Sequence, residues 1–99
     1  MKNLTLRNLT KVCRGIYHGP EALLDQEVGS IITDSRKAEP EALFVAIVGE
    51  RVDAHRFIPD VMEKGALASI SERELPDAEF PYIQVESSLQ AVKDIAEFY

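Results

Sequence analysis

Two clusters of polar side chains hold most of the residues that could do chemistry in this sequence, and each follows a run of apolar residues. The first comprises Asp34, Ser35 and Arg36, and the second is formed by residues 49–53. A serine hydroxyl both donates and accepts hydrogen bonds, and a guanidinium is a fixed cationic fork suited to a phosphate or carboxylate. This chemistry fits the binding of a polar, anionic small molecule that is held without being transformed.

The same residues also have a purely structural interpretation, which stays open at this point. Aspartate and serine side chains commonly cap turns, so Asp34 and Ser35 could end a strand without binding a ligand. Arg36 could pair with a surface acid, and Asp53 could cap the helix that follows. His55 is equally consistent with a capping or solvated histidine.

Sequence motifs for several common chemistries are absent. The chain has no P-loop for a nucleoside triphosphate and no glycine-rich dinucleotide fingerprint. Its two histidines and its one cysteine, Cys13, are too few and too isolated to predict a metal site, and Cys13 is interpreted as a core residue. A small hydrolase using Asp34, Ser35 and His55 remains an alternative, which requires His55 within about 3 Å of Ser35.

Apolar periodicity predicts the elements that position the two clusters. Helices are predicted from the N-cap Thr5 to Gly15, from Pro59 to Gly65, and after a capping box of Ser87 and Gln90. The inner side of the last helix is predicted to carry Leu89, Val92, Ile95, Ala96 and Tyr99. Strands are predicted at 15–19, 31–33, 43–48, 66–71 and 82–85, and residues 20–27 stay unassigned. The strand at 43–48 is continuously apolar, which predicts burial on both faces.

This order of elements predicts an α/β fold with a small single-layer sheet and at least one parallel βαβ crossover. Ligands of such sheets bind beyond the carboxyl ends of the strands, where both clusters are predicted to lie.

Composition is that of one small globular domain: 99 residues, 45% hydrophobic and 28% charged. A formal net charge of −6 argues against nucleic acid or anionic membrane as a partner. The longest apolar run is too short to span a membrane, and residues 1–6 do not resemble a signal peptide. A single cysteine fits a reducing compartment, so a cytoplasmic location is predicted.

Four ordered segments resemble the N-terminal domain of Mur ligases, the ATP-dependent amide ligases of peptidoglycan synthesis. They read TDSR at 33–36, PEALFVA at 40–46, GERVDAHRFI at 49–58 and GA at 65–66. The arrangement is similar to the MurE and MurF types. The MurF type, which adds D-alanyl-D-alanine to UDP-N-acetylmuramoyl-tripeptide, is favoured by the short opening helix, the 15–19 strand and the residues at 49–51. The MurE type, which adds the third peptide residue, comes next.

The resemblance implies that this domain binds the UDP end of a UDP-N-acetylmuramoyl-peptide and carries no catalytic or metal-binding residue. Ser35 is implied to contact the uridine, and Glu50, Arg51 and Val52 to line the same pocket. The substrate-binding residues predicted in this way are Thr33, Asp34, Ser35, Arg36, Gly49, Glu50, Arg51, Val52, Asp53 and His55. ATP and Mg²⁺ are implied as cofactors of the full-length enzyme only, whose central and C-terminal domains are the implied partners of this one.

Residues 1–99 are accordingly predicted to be a single N-terminal recognition domain of a longer ligase, inactive by itself. The last predicted helix has no stop signal before the chain ends, which favours this interpretation. A non-enzymatic interaction module, in which the first cluster is only a turn, is the competing class. It predicts indifference to UDP and a protein partner on an apolar patch.

Two residues depart from the family pattern. Glu41 stands where the family has glycine after Pro40. In a type II turn a residue other than glycine costs on the order of 1 kcal/mol there, whereas a type I turn would remove the strain, so both turn types stay open. Ala54 replaces the usual glycine before His55, which is expected to limit the approach of backbone to a ligand.

Overall fold

The structure, a computed structural model, describes residues 4–98, which form one mixed sheet of five strands with helices packed on it. The strands are β1 Ile16–His18, β2 Ser30–Ile32, β3 Ala42–Val45, β4 Ala68–Ser71 and β5 Tyr82–Gln84. The α-helices are α1 Leu6–Val12, α2 Ile58–Glu63 and α3 Ser88–Phe98. Short 3-10 turns lie at Glu21–Leu23, Ser35–Lys37 and Ala54–Phe57, the first within the segment that the sequence left unassigned. None of the helices in residues 4–98 has the length and apolarity that crossing a membrane requires.

The strand order is β1-β5-β4-β3-β2, with β1 antiparallel to β5 and every other neighbouring pair parallel. The predicted α/β fold with a parallel crossover is therefore confirmed. Because β2, β3, β4 and β5 run in the same direction, their last residues lie along one side of the sheet. We call the segments that follow these strands there, residues 33–37, 46–57, 72–73 and 85–88, the carboxyl edge.

Both faces of the sheet are covered. Helices α1 and α3 pack on one face, where Leu6, Leu9 and Ile95 are buried, and α2 packs on the other, where Ile58 and Val61 are buried. Strand β3 lies between the two cores and all four of its residues are buried, as predicted for a continuously apolar strand. Full burial of a large apolar side chain contributes about 1.5–3 kcal/mol, so this strand anchors whatever follows it.

The predicted strand at 43–48 is wrong at its end, because β3 stops at Val45. The next backbone amide, that of Ala46, donates to the carbonyl of Ile70, and Val48 then pairs with Asp53 in an isolated antiparallel bridge. This turn carries the chain away from the sheet and leaves the Val48 side chain half exposed. The run of apolar residues therefore continues to Val48, although the pairing of β3 with its neighbouring strands ends at Val45.

Helix α1 ends differently from the prediction at Gly15. Arg14, with φ 57°, occupies the left-handed position after the helix, where glycine is preferred. The Gly15 amide donates to the carbonyl of Thr10 and the Arg14 amide to that of Lys11, which closes the helix end. A Cβ on Gly15 would lie 2.7 Å from the Gln84 carbonyl oxygen, so this glycine is needed for close approach to β5.

Helix α3 buries Ser88, Ala91 and Ile95, and Val92 packs against the same core. The predictions for Leu89 and Ala96 are wrong, because both are exposed; each lies one residue beyond the 88, 91, 92, 95 stripe. Tyr99, like residues 1–3, lies outside the described residues. The Gln90 amide donates to Ser87 Oγ at 3.1 Å, whereas the Gln90 side chain bonds Asp94, so half of the predicted capping box forms.

The turn before β3 is of type II. The Ala42 amide donates to the Glu39 carbonyl oxygen at 3.3 Å, Pro40 is the second residue of the turn, and Glu41, the third, has φ 65°. Of the two turn types that the sequence left open, the structure has the strained one, with a glutamate in the conformation that glycine adopts most easily.

Candidate functional site

The two polar clusters lie at the same edge of the sheet, because the strands they follow are parallel neighbours. Residues 33–36 follow β2, residues 46–57 follow β3, and Ile32 at the end of β2 is paired with Phe44. The edge position predicted for both clusters is therefore confirmed. Ser35 is half-buried, and within residues 4–98 its hydroxyl has no hydrogen-bond partner, which leaves both its donor and its acceptors available.

The first cluster folds on itself. The Asp34 carboxylate caps the 3-10 turn by accepting from the Arg36 amide at 2.9 Å, and it also accepts from the Arg36 guanidinium at 3.0 and 2.8 Å. These bonds lower the pKa of Asp34 to about 2. The structural interpretation of Asp34 as a cap and of Arg36 as its ion-pair partner is confirmed, although the Arg36 side chain remains 88% exposed.

The second cluster is a tight loop that projects from the carboxyl edge. At its base Val48 pairs with Asp53, and the Gly49 amide donates to the Val52 carbonyl oxygen at 2.9 Å. We call residues 49–52, which are all exposed, the tip. Arg51 makes no ion pair within the described part of the chain, so its guanidinium is available to an anion. The tip therefore presents the Arg51 cation, the Glu50 carboxylate and backbone groups on one short, constrained loop.

His55 lies inside the molecule beneath this loop. Its side chain is 3% exposed, its Nδ1 is 2.7 Å from Asp53 Oδ1, and its Nε2 accepts from the Glu72 amide at 2.8 Å. Both ring nitrogens are thus occupied, and neither is available to activate Ser35. The geometry required by the hydrolase alternative is absent, and the expectation of a solvated histidine is wrong.

Asp53 joins three groups at the base of the loop. Its Oδ1 accepts from the His55 amide at 3.0 Å, which confirms the predicted cap, and from the His55 ring. Its Oδ2 accepts from the Arg73 guanidinium. The His55 amide and the Arg73 cation hold the pKa of Asp53 well below its usual range, so it stays ionised at neutral pH.

Sequence reasoning missed Glu72 and Arg73, which belong to the same edge. They follow β4 directly, so the signal was the one used for the other clusters, a polar pair at the end of an apolar strand. The Glu72 carboxylate accepts from the Ser88 amide at 2.7 Å, at the first residue of α3. The strand order explains their relevance, because β4 pairs directly with β3.

A cavity of about 370 Å³ lies away from these clusters, between the end of α1 and the first turns of α3. Its charged lining residues are Arg14, Glu86 and Asp94. Two carboxylates against one guanidinium make it a poor place for a polyanion. Within residues 4–98 no group of three or more His, Cys, Asp or Glu side chains could hold a metal ion.

Known proteins resemble this chain over most of its length. The model of the Mur ligase family, catalytic domain, matches residues 27–99. The UDP-N-acetylmuramoyl-tripeptide--D-alanyl-D-alanine ligase of Escherichia coli (strain K12) is 36% identical over 96 residues, which cover 97% of this chain and 20% of that protein. The UDP-N-acetylmuramoyl-L-alanyl-D-glutamate--2,6-diaminopimelate ligase of Chlorobium phaeobacteroides is 45% identical over 76 residues, covering 73% of this chain and 15% of that protein.

The fold has close matches among solved structures as well. MurF from Acinetobacter baumannii superimposes with a TM-score of 0.84 and 33% sequence identity, over 95% of this chain and 20% of that one. The chain thus spans about a fifth or less of the length of the proteins it matches.

Proposed function

Because the chain belongs to the Mur ligase family, we propose that it is the N-terminal domain of a longer ligase that adds D-alanyl-D-alanine to UDP-N-acetylmuramoyl-tripeptide. Its part in that reaction is to bind the UDP end of the substrate. The observation that carries the proposal is coverage: the D-alanyl-D-alanine ligase relative aligns over 97% of the chain, α1 and β1 included. A diaminopimelate ligase is the second candidate, favoured by the higher identity of 45% over a shorter alignment.

The geometry of the carboxyl edge supports a bound nucleotide. The unpaired Ser35 hydroxyl and the exposed tip stand at the ends of adjacent parallel strands, where ligands of α/β sheets bind. Ser35 and Thr33 contact the uridine, the tip lines the pocket, and the Arg51 guanidinium faces the diphosphate. Asp34 and Asp53 shape these two loops, since their carboxylates are already engaged by neighbouring arginines.

ATP and Mg²⁺ serve the full-length enzyme at sites outside this chain. The sequence contains no P-loop, and residues 4–98 contain no cluster of metal-ligating side chains, so the residues present do not fit either group. No step of amide-bond formation is therefore assigned to this chain. Its free cysteine fits the reducing cytoplasm, where we place the protein.

UDP titration of the ¹⁵N-labelled chain, followed by NMR, tests the binding role. We expect amide shifts at Ser35 and the tip at millimolar UDP, and weaker shifts with ADP, whose base differs. Ser35→Ala should weaken UDP binding about tenfold by removing one hydrogen-bonding group. The matched control is Ser30→Ala at the opposite end of β2, whose hydroxyl bonds Glu39 and should not affect binding. Absence of shifts at the carboxyl edge would favour the interaction module.

The choice of acceptor is tested on the full-length protein. Incubation with UDP-N-acetylmuramoyl-tripeptide, ATP and D-alanyl-D-alanine should yield the extended product by mass spectrometry. Product formation from the dipeptide substrate and 2,6-diaminopimelate instead would replace this proposal by the second candidate.

A further inference from the structure

A partly buried hydrogen-bonded chain, with the buried His55 ring at its centre, connects the loop after β3 with the loop after β4. It runs from Asp53 through the His55 ring to the Glu72 amide, with distances of 2.7 and 2.8 Å, and we call these three residues the clamp. The Glu72 carboxylate continues the connection to the first amide of α3. The His55 imidazole thus joins the loops after β3 and β4, and the Glu72 carboxylate joins the start of α3 to them.

The hydrogen-bond partners define the tautomer of His55. A backbone amide can only donate, so Nε2, which faces the Glu72 amide, carries no proton. Nδ1 therefore carries the ring proton and donates it to Asp53 Oδ1. The two nitrogens have different tasks, and only a ring with one donor and one acceptor can perform both.

The clamp acts on the tip through Asp53. Asp53 pairs with Val48 across the base of the tip, and its second carboxylate oxygen accepts from Arg73. Asp53 therefore connects the base of the tip, through its backbone, with a half-exposed guanidinium at the same edge, through its carboxylate. With its side chain 3% exposed, His55 acts on a ligand only through these neighbours.

We propose that His55 is a positioning residue of the nucleotide site, which holds the tip in its binding conformation by fixing the Asp53 carboxylate against the loop after β4. This inference rests on the proposed UDP-binding function. It assigns to His55 an indirect role, distinct from the direct contact that the sequence predicted, and it brings Arg73 into the site.

Two substitutions separate the two halves of the clamp. In His55→Asn the side-chain amide nitrogen occupies the place of Nδ1 and retains the bond to Asp53. In His55→Gln the amide oxygen occupies the place of Nε2 and retains the bond to Glu72. We expect UDP affinity to fall about tenfold in His55→Gln and His55→Ala, because these lose the bond that holds the Asp53 carboxylate at the base of the tip, and one hydrogen bond corresponds to about a factor of ten. His55→Asn keeps that bond and loses only the one to Glu72, farther from the tip, so we expect about a threefold fall.

The matched control is His18→Asn. His18 also bonds a side chain, with Nε2 3.0 Å from Gln84 Oε1, and it stacks on Tyr82, the first residue of β5. It lies at the opposite edge from the clamp, so UDP affinity should not change. Melting temperatures of all four variants show whether affinity merely follows stability. Equal loss of affinity in His55→Asn and His55→Gln, in proportion to lost stability, would overturn the proposal.

Amide hydrogen exchange provides a readout that does not need a ligand. The Gly49 amide, bonded to the Val52 carbonyl, should exchange faster in His55→Gln than in His55→Asn. If the wild-type chain binds no UDP, the proposed function is wrong. The Gly49 exchange rates then still show whether His55 holds the tip in place. Unchanged Gly49 exchange in His55→Gln and His55→Ala refutes a positioning role for His55.

Discussion

The guanidinium of Arg36 lies against the carboxylate of Asp34, two residues earlier, with Nε 3.0 Å from Oδ1 and Nη2 2.8 Å from Oδ2. This bidentate pair engages one of the two guanidinium groups that the sequence offers to an anionic ligand. Arg51, in the tip, has no such partner among residues 4–98. The two arginines of the predicted site are therefore unequal, and the difference has consequences for binding and for pH dependence.

Arg51→Ala should weaken UDP binding more than Arg36→Ala. An unpaired guanidinium is available to a diphosphate, whereas Arg36 would first have to leave Asp34. We expect a loss of roughly fivefold for Arg51→Ala and less than twofold for Arg36→Ala, with the larger effect shrinking as salt is raised. NMR titrations with UDP at low and high ionic strength measure the affinity of each variant and its salt dependence. A larger loss of UDP affinity in Arg36→Ala than in Arg51→Ala would contradict the role proposed for Arg51.

Asp34 should titrate near pH 2, below the ordinary aspartate pKa of about 3.9. Because its pKa is lowered in the folded state, the contribution of Asp34 to stability is present above about pH 4 and is lost as pH falls through about 2. Arg36→Ala should return the Asp34 pKa towards its usual value. Carboxyl ¹³C shifts followed over roughly pH 1.5–5 measure both midpoints, and an unchanged midpoint in the variant would show that Arg36 does not lower the Asp34 pKa.

Glu41→Gly should stabilise the protein by about 1 kcal/mol, because φ 65° is strained for glutamate and ordinary for glycine. Both backbone hydrogen bonds of Glu41, from its amide to Gly65 and from Gly29 to its carbonyl, survive the change. The melting temperature should rise by roughly 4–8 °C. Gly65→Ala, at φ 104°, is the reverse control and should destabilise. A fall in melting temperature for Glu41→Gly would indicate that its side chain stabilises the turn.

The Cys13 thiol should react slowly with thiol reagents in the native protein. It is buried and packs 4.0 Å from the Ala91 carbonyl oxygen, and burial, with the nearby Asp94 carboxylate, raises its pKa to about 11. The neutral thiol contributes stability below about pH 9, which is lost as pH rises through about 11. Labelling kinetics at about pH 8 with and without denaturant check this, and labelling as fast in the native as in the denatured protein would contradict it.

Local sequence patterns predicted most of the fold because the elements of this domain are decided by near neighbours. The N-cap of α1 at Thr5 and the buried strand β3 follow from residues a few positions apart. The wrong predictions are those in which the local apolar pattern does not show where a strand ends or which side of a helix is buried. Apolar residues continue past β3 to Val48, and Leu89 is apolar but lies outside the buried stripe of α3.

By itself the sequence determined the order of the elements, the position of both polar clusters at strand ends, and the resemblance to Mur ligases. Only the tertiary structure decided the partners of these clusters. His55 meets Glu72, 17 positions later, and Asp53 meets Arg73, 20 positions later, because β4 pairs with β3 in register. Contacts between strands depend on which strands become neighbours. The strand order depends on burying the apolar residues of both cores at once, and no short stretch of residues determines it.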